Sequence, residues 1–283
     1  MADAGHLVLV ATPIGNLGDL PPRAVEVLAA ADVVACEDTR RTGRLLAAAG
    51  VRARALIAVH DHNEASQVGA VLGRLKAGEV VAVVTDAGTP GISDPGERLV
   101  RAVTQAGFEV RVVPGPSAAI SGLVASGLPT GRFVFEGFLP RKGSGRSERL
   151  AALVGEQRTL VLYEAPHRLA RTLADLADTL GGERRAAIGR ELTKLHEEVW
   201  RGTLDEAVAR CELIEPRGEH VLVVDGAPPP RAVDDAEIVS AIGDRMAAGA
   251  TRRDAVAEVA QGLGVARRRV YDLALGGEGT DLR

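Results

Sequence analysis

The chain has 283 residues, 46% of them hydrophobic and 25% charged, with a formal net charge of −4. That length suggests about two domains at roughly 150 residues each, and the composition excludes a largely disordered chain. The acidic balance argues against whole-molecule attraction to nucleic acid or to an anionic membrane, and two cysteines exclude a disulfide framework or a four-cysteine zinc site.

The opening MADAGHLVLVATP lacks a basic leader and runs straight into a strand, so no signal peptide is expected. Strand candidates follow at 6–11, 32–36, 55–59, 80–85 and 109–113, alternating with amphipathic helices near 23–31, 42–49, 65–77 and 96–106. This rhythm predicts an open α/β sheet with ligand loops at the strand ends. A second, similar set has strands at 133–138, 159–163, 186–189, 198–202 and 220–224, with helices near 119–125, 147–155, 167–180 and 205–211. Residues 140–145 (PRKGSG) read as a surface loop. The expected divisions are lobes at 1–117 and 118–226, a proline-rich linker at 227–233 and a small helical domain at 234–283. Within that last part TRRDAVAEVAQGLGVARRRVYDLAL resembles a helix-turn-helix pattern. No apolar run approaches the roughly 20 residues of a membrane span, so a soluble cytoplasmic protein is the expectation.

Three strand-end loops carry the chemistry. The first, ATPIGNLGD, has glycines that let backbone approach a ligand, and Asp38 lies about 20 residues on. The dinucleotide pattern GxGxxG is absent, so from this segment alone a tight turn is the better reading. The second, TDAGTPGISDPG, is too dense in Asp, Gly and Pro for a simple connection. Its backbone N–H groups suit an anionic group, and Asp86 suits hydroxyl or ammonium donors; a ligand loop is the favoured reading over a long turn with Asp94 as a helix N-cap. The third, VPGPSA, places Ser117 where a helix N-cap belongs.

These loops, with CEDTR, EGFLPRK, YEAPHR, RELTKLHEE and GEHVLVV, resemble the small-subunit ribosomal RNA ribose 2′-O-methyltransferases, a branch of the tetrapyrrole methylase superfamily. The resemblance covers residues 7–225. It implies two α/β lobes of the tetrapyrrole methylase type, with S-adenosylmethionine in the cleft between them and a small C-terminal helical domain. It also implies action on a cytidine in the decoding region of 16S ribosomal RNA, within the small ribosomal subunit, and a homodimer. By the same resemblance Pro13, Asp86, Gly88, Thr89, Pro90, Ser117, Ala118, Tyr163, Glu164, Glu219 and His220 are expected to hold the cofactor. A tetrapyrrole C-methyltransferase, uroporphyrinogen- or corrinoid-directed, is the alternative within the superfamily. A nucleic-acid-binding regulator built on the terminal helices is a second, and it leaves the three ligand loops unexplained.

Methyl transfer from a sulfonium needs alignment more than a metal. A ribose hydroxyl is a poor nucleophile, so a base or a cation that favours the alkoxide is sought. Glu191 and Lys194 are the expected catalytic groups, Lys194 to stabilise the alkoxide or bind phosphate and Glu191 to accept a proton or orient the lysine. His196 is a weaker candidate. Lysine occurs only three times against 31 arginines, so a retained lysine is informative and an arginine cluster less so. Asp38, Arg40, Asn63, Glu64, Arg141, Lys142 and Arg190 are expected to meet substrate. Basic stretches at Arg40, Arg41, Arg44, Arg52 and Arg54, and at Arg132, Arg141, Lys142, Arg146 and Arg149, suit phosphate contacts that position RNA without reading its sequence. His60 and His62 alternate but lack further ligands, so no metal site is expected.

Overall fold

The computed structural model describes residues 5–229 and 233–276. Residues 1–4 of the opening segment, 230–232 of the expected linker and 277–283 of the expected helical domain lie outside the described residues. The chain divides into two compact units, Met1–Ala227 and Pro228–Arg283.

The first unit begins with a parallel sheet in the order β3-β2-β4-β1-β5. Its strands are β1 (Leu7–Val10), β2 (Val33–Cys36), β3 (Leu56–Ala58), β4 (Val81–Val84) and β5 (Val110–Val113). The central strands are continuous apolar runs because helices cover both faces. Val8, Val10, Val34 and Ala82 pack under α1 (Pro22–Ala30) and α2 (Thr39–Ala48). Leu7, Ala35, Val81 and Val83 pack under α3 (Glu64–Lys76) and α4 (Glu97–Gln105). Neighbouring strands β1 and β4 therefore send their following helices to opposite faces. Between their carboxyl ends the sheet opens a switch-point crevice, where open α/β sheets receive ligands.

The second sheet runs β6-β7-β10-β8-β9, with β6 (Phe133–Phe138), β7 (Thr159–Glu164), β8 (Arg185–Arg190), β9 (Glu198–Thr203) and β10 (His220–Val224). It is not a copy of the first. Only β6 and β7 are parallel, and the other neighbours are antiparallel. The short β8–β9 connection leaves no room for a crossover helix, which parallel pairing requires. One face packs under α5 (Ala118–Ser126), where a β-carbon on Gly122 would sit 2.6 Å from Val221, so the helix lies close on the sheet. The other packs under α6 (Ser144–Leu153), α7 (Pro166–Leu180) and α8 (Leu204–Leu213). Helix α7 buries Leu169, Leu173, Leu176 and Leu180, the spacing of one helical face. The expected loop 140–145 is shorter than its composition suggests, because α6 already begins at Ser144.

The second unit holds α9 (Asp235–Ala247), α10 (Arg252–Gly262) and α11 (Arg267–Gly276) around Ile238, Ile242, Val256, Val259 and Val270. Asp234 and Thr251 cap α9 and α10 through their side chains.

Candidate active site

A cavity of about 330 Å³ lies at the switch point, walled by the loops after β1 and β4 on one side and by the second sheet on the other. Eight of the expected cofactor residues line it: Gly88, Thr89, Ser117, Ala118, Tyr163, Glu164, Glu219 and His220, together with Lys194. Pro13, Asp86, Pro90 and Glu191 are not in its lining. The first two loops are zipped together. Thr12 N–H donates to the Gly88 carbonyl at 2.9 Å and Gly88 N–H returns to Thr12 at 3.1 Å. Gly88 has φ +85, a conformation glycine adopts freely.

The lobe-one wall is acidic. Asp94, which the sequence allowed to be a cap, caps nothing: α4 is preceded by Gly96, and the Asp94 side chain faces the cavity. Burial pushes its carboxyl up to about 7, helped by the charges of Glu37, Asp61 and Asp86. Glu37 is raised too, first by burial and then by Asp86. These acids come from three loops: Glu37 follows β2, Asp61 follows β3, and Asp86 and Asp94 share the loop after β4. Ser93, beside Asp94, has φ +61, a strained conformation for a residue with a side chain.

Asp86 sits behind this wall. Its Oδ1 accepts from the Asp38 N–H at 3.2 Å, and its Oδ2 pairs with Arg41 at 3.1 Å. It holds α2 against the β4 loop, so its influence on a ligand runs through Asp94 and backbone placement. Asp38 is the N-cap of α2 and pairs with the exposed Arg40, whose hydrogen bonds hold its carboxyl down at about 2.

On the lobe-two side, Ser117 occupies the N-cap position of α5, yet its side chain caps nothing. Tyr163 replaces it, its hydroxyl accepting from the Ala119 N–H at 3.1 Å. Burial raises the Tyr163 phenol, which stays protonated. Phe135 and Phe138 pack on the Tyr163 ring with centroids 5.0 and 5.7 Å away. Glu164 contributes backbone to the cavity, but its buried carboxylate is fully engaged by Arg168 at 3.1 Å and Thr172 at 2.6 Å. His220 is buried, with burial lowering its pKa, so the ring is neutral.

The turn from β8 to β9 presents Lys194. Its Nζ donates to Glu191 at 2.9 Å and to Glu219 at 2.6 Å. Burial alone would lower its pKa, but these two hydrogen bonds and the carboxylate charges outweigh it and raise the value. Glu191 also accepts from the Glu219 N–H at 2.9 Å. Burial raises its carboxyl, but these bonds outweigh it and hold it below its ordinary range. Glu191 is thus ionised, weakly basic and committed to orienting the lysine. Two residues of the turn, Glu191 and Thr193, have φ of +49 and +69. The lysine stem lies on Gly15 of the first loop, where any β-carbon would sit 2.3 Å from Lys194 Cγ. His196 is exposed and outside the cavity.

Several expected substrate residues have other duties. Glu64 is buried, and its Oε1 accepts from the Gly96 and Leu99 N–H groups at 3.0 Å each, capping α4 from outside. Asn63 closes its own turn, accepting from His60 N–H at 2.8 Å and donating to the Ala58 carbonyl at 3.0 Å. Arg190 donates to the Arg217 carbonyl at 2.9 Å and faces a different cavity, beside Trp200. In the first basic stretch Arg40, Arg41 and Arg54 are each paired with a nearby aspartate. In the second, Arg146 is buried and Arg149 pairs with Glu136, while Arg141 and Lys142 are exposed. Sequence reasoning missed Asp94, and its one available signal was a second aspartate in a loop that needs only one cap.

Residues 6–208 match the family model of the tetrapyrrole (corrin/porphyrin) methylases. A Synechocystis sp. protein named ribosomal RNA small subunit methyltransferase I is 48% identical over 96% of this chain and 98% of its own. The protein of that name from Pseudomonas aeruginosa is 45% identical over 98% and 99%. Among solved structures, the methyltransferase CobJ superposes with a TM-score of 0.61 at 20% identity, covering 81% of this chain and 97% of that one. Uroporphyrin-III C-methyltransferase of Thermus thermophilus, complexed with S-adenosyl homocysteine, gives 0.55 at 24% identity over 78% and 97%. The chain belongs to the tetrapyrrole methylase family, in the branch of the ribosomal RNA small subunit methyltransferases I.

Proposed function

We propose that this protein transfers a methyl group from S-adenosylmethionine to the ribose 2′-hydroxyl of a cytidine in the decoding region of 16S ribosomal RNA, within the small ribosomal subunit. The observation that carries this reading is the cavity itself, which sets an acidic wall opposite an ammonium held by two carboxylates. The residues fit the cofactor. A cavity of about 330 Å³ is in the usual range for a small-molecule site, roughly 300–1,000 Å³. Asp94 suits a cationic group, and the start of α5 at Ala118 suits a carboxylate. Apolar Ile14, Leu192 and Val221 suit a flat heterocycle.

When bound, the cofactor supplies an electrophilic methyl on a sulfonium. Asp94 and the loop at Gly88–Thr89 fix its position, which is where most of the acceleration in such a displacement arises. Lys194 stays an ammonium at neutral pH and so acts on charge rather than as a base. As the ribose oxygen takes the methyl its hydroxyl proton passes to solvent water, and Lys194 stabilises the negative charge that develops on that oxygen. Glu191 and Glu219 hold it there.

The tetrapyrrole alternative rests on solved structures that share the fold at 24% identity or less, whereas curated relatives at 45–48% carry the ribosomal name. We further infer a homodimer. Ile120 and Val124 on α5 and Val112 on β5 are apolar and about half exposed or more, and covering such residues favours association. No helix among the described residues is long and apolar enough to cross a membrane, and a ribosomal substrate implies a cytoplasmic site of action. The test is purified protein with labelled S-adenosylmethionine and small subunits from a strain lacking the enzyme. Label should appear as 2′-O-methylcytidine. Cofactor binding without label in RNA would overturn the reading.

A further inference from the structure

Lobe two carries a separate cavity of about 310 Å³, lined by Arg141, Arg146, His167, Arg168, Arg171 and Thr172. Its floor is fixed. Arg146 is buried with all three guanidinium nitrogens engaged: Nε with Asp175 at 2.7 Å, Nη1 with the Pro140 carbonyl at 2.9 Å and Nη2 with Thr172 at 3.0 Å. Arg168 donates to the Leu139 carbonyl at 2.6 Å and pairs with Glu164 at 3.1 Å. Burying a guanidinium is costly unless it is well paired, so this floor is a built structure.

The rim differs. Arg171 is 65% exposed and stands 3.9 Å from Asp175, a loose pairing to a carboxylate that Arg146 already holds. Arg141 is exposed and makes no ion pair among the described residues. Four arginines thus face two carboxylates, Glu164 and Asp175, with two guanidinium groups free to turn inward. Planar forks around a fixed positive floor suit a phosphate. The start of α7 adds to this, since Ala165 in its N-cap position offers no side-chain cap.

The position matters as much as the charge. Glu164, Ala165 and Pro166 line the methyl-transfer cavity, and the next residues, His167 and Arg168, line this one. We propose that this cavity binds a backbone phosphate of the substrate RNA and so sets the neighbouring ribose in the methyl-transfer cavity. The inference rests on the ribosomal RNA reading and gives Arg141 and Arg171 a positioning role in it.

The test is the double variant R141A/R171A, assayed on small subunits with labelled S-adenosylmethionine across a salt series. KM for subunits should rise roughly five- to tenfold with kcat within about twofold. The slope of log(kcat/KM) against log[salt] should become shallower by about 0.7–0.9, the value of one neutralised phosphate. Cofactor affinity by calorimetry should not change. Arg101→Ala, removing an exposed arginine on α4 that pairs with Glu97, should leave KM and slope as they were. Unchanged KM and slope in the double variant, with an active wild type, would overturn the proposal. So would a double variant that loses only inhibition by inorganic phosphate. A wild type that labels no subunits would overturn the ribosomal reading, and this proposal with it.

Discussion

Asp94→Asn separates the acid wall's effect on folding from its effect on binding. In the free protein the Asp94 carboxyl stands at about 7 against 3.8 unperturbed, through burial and the charges of Glu37, Asp61 and Asp86. Below pH 3.8 it is neutral in both folded and unfolded chains. Between 3.8 and 7 the unfolded chain ionises first, so stability falls as pH rises, and above 7 the loss is complete. At about 1.4 kcal/mol per pH unit the full effect is about 4 kcal/mol, and solvent screening in the open cavity reduces it to about 2–3 kcal/mol. Asp94→Asn should therefore match the wild type in urea unfolding at pH 4 and exceed it by about 2–3 kcal/mol at pH 8. Binding should show the opposite preference. A cationic cofactor favours the ionised carboxylate, so wild-type affinity should rise through pH 7 with proton release, while the variant binds weakly with a flat profile. A stability difference that is constant from pH 4 to 8 would refute the burial argument. Wild-type affinity that is flat or falls with pH would refute contact between Asp94 and the cation.

Lys194→Ala should lower the single-turnover rate about 10²–10³-fold, the usual effect of removing one donor to a developing oxyanion, with cofactor affinity changed less than about threefold; an intact rate would remove the lysine from the chemistry. Glu64→Ala strips two buried N–H groups of their acceptor. It should cost about 2–4 kcal/mol in urea unfolding and weaken cofactor binding through the 85–96 loop, although Glu64 does not line the cavity. A loss below about 0.5 kcal/mol would show that water replaces the carboxylate.

The first sheet was legible because each central strand is an apolar run closed by a Gly/Pro/Asp loop, and burial on both faces demands that pattern. The loops that line the cavity were legible for the same reason, since their residue types are unnecessary for mere connection. The acid cluster was not. Glu37, Asp61 and the pair Asp86 and Asp94 lie on three separate loops, and only the parallel sheet brings them together. The local duties of Glu64 and Asn63 were not legible, because polar residues near a strand end serve a turn as readily as a ligand. Arg146 was grouped with the basic stretch suited to phosphate contacts. Yet it lies four and seven residues before the buried Leu150 and Leu153, on the inward face of α6, and that spacing was the signal of its burial. The antiparallel half of the second sheet left no comparable mark, since a short loop between two strands shows only in its length.

The distribution of charge constrains how donor and acceptor meet. A cationic methyl donor is drawn to the lobe-one wall, where Arg41 pairs with Asp86. The acceptor ribose carries a phosphate on each side, and that wall repels both. Repulsion between solvated charges fades over roughly 8–10 Å at ordinary ionic strength, so the strand can approach only if its phosphates are held on the opposite side. Lobe two supplies that side. Lys194 lines the cavity, and the arginine cavity at the start of α7 begins one residue beyond that lining. On the proposed reading, the acidic loops of lobe one and the arginine cavity of lobe two let one cleft take a cation and a polyanion at once, each on the side that the other avoids.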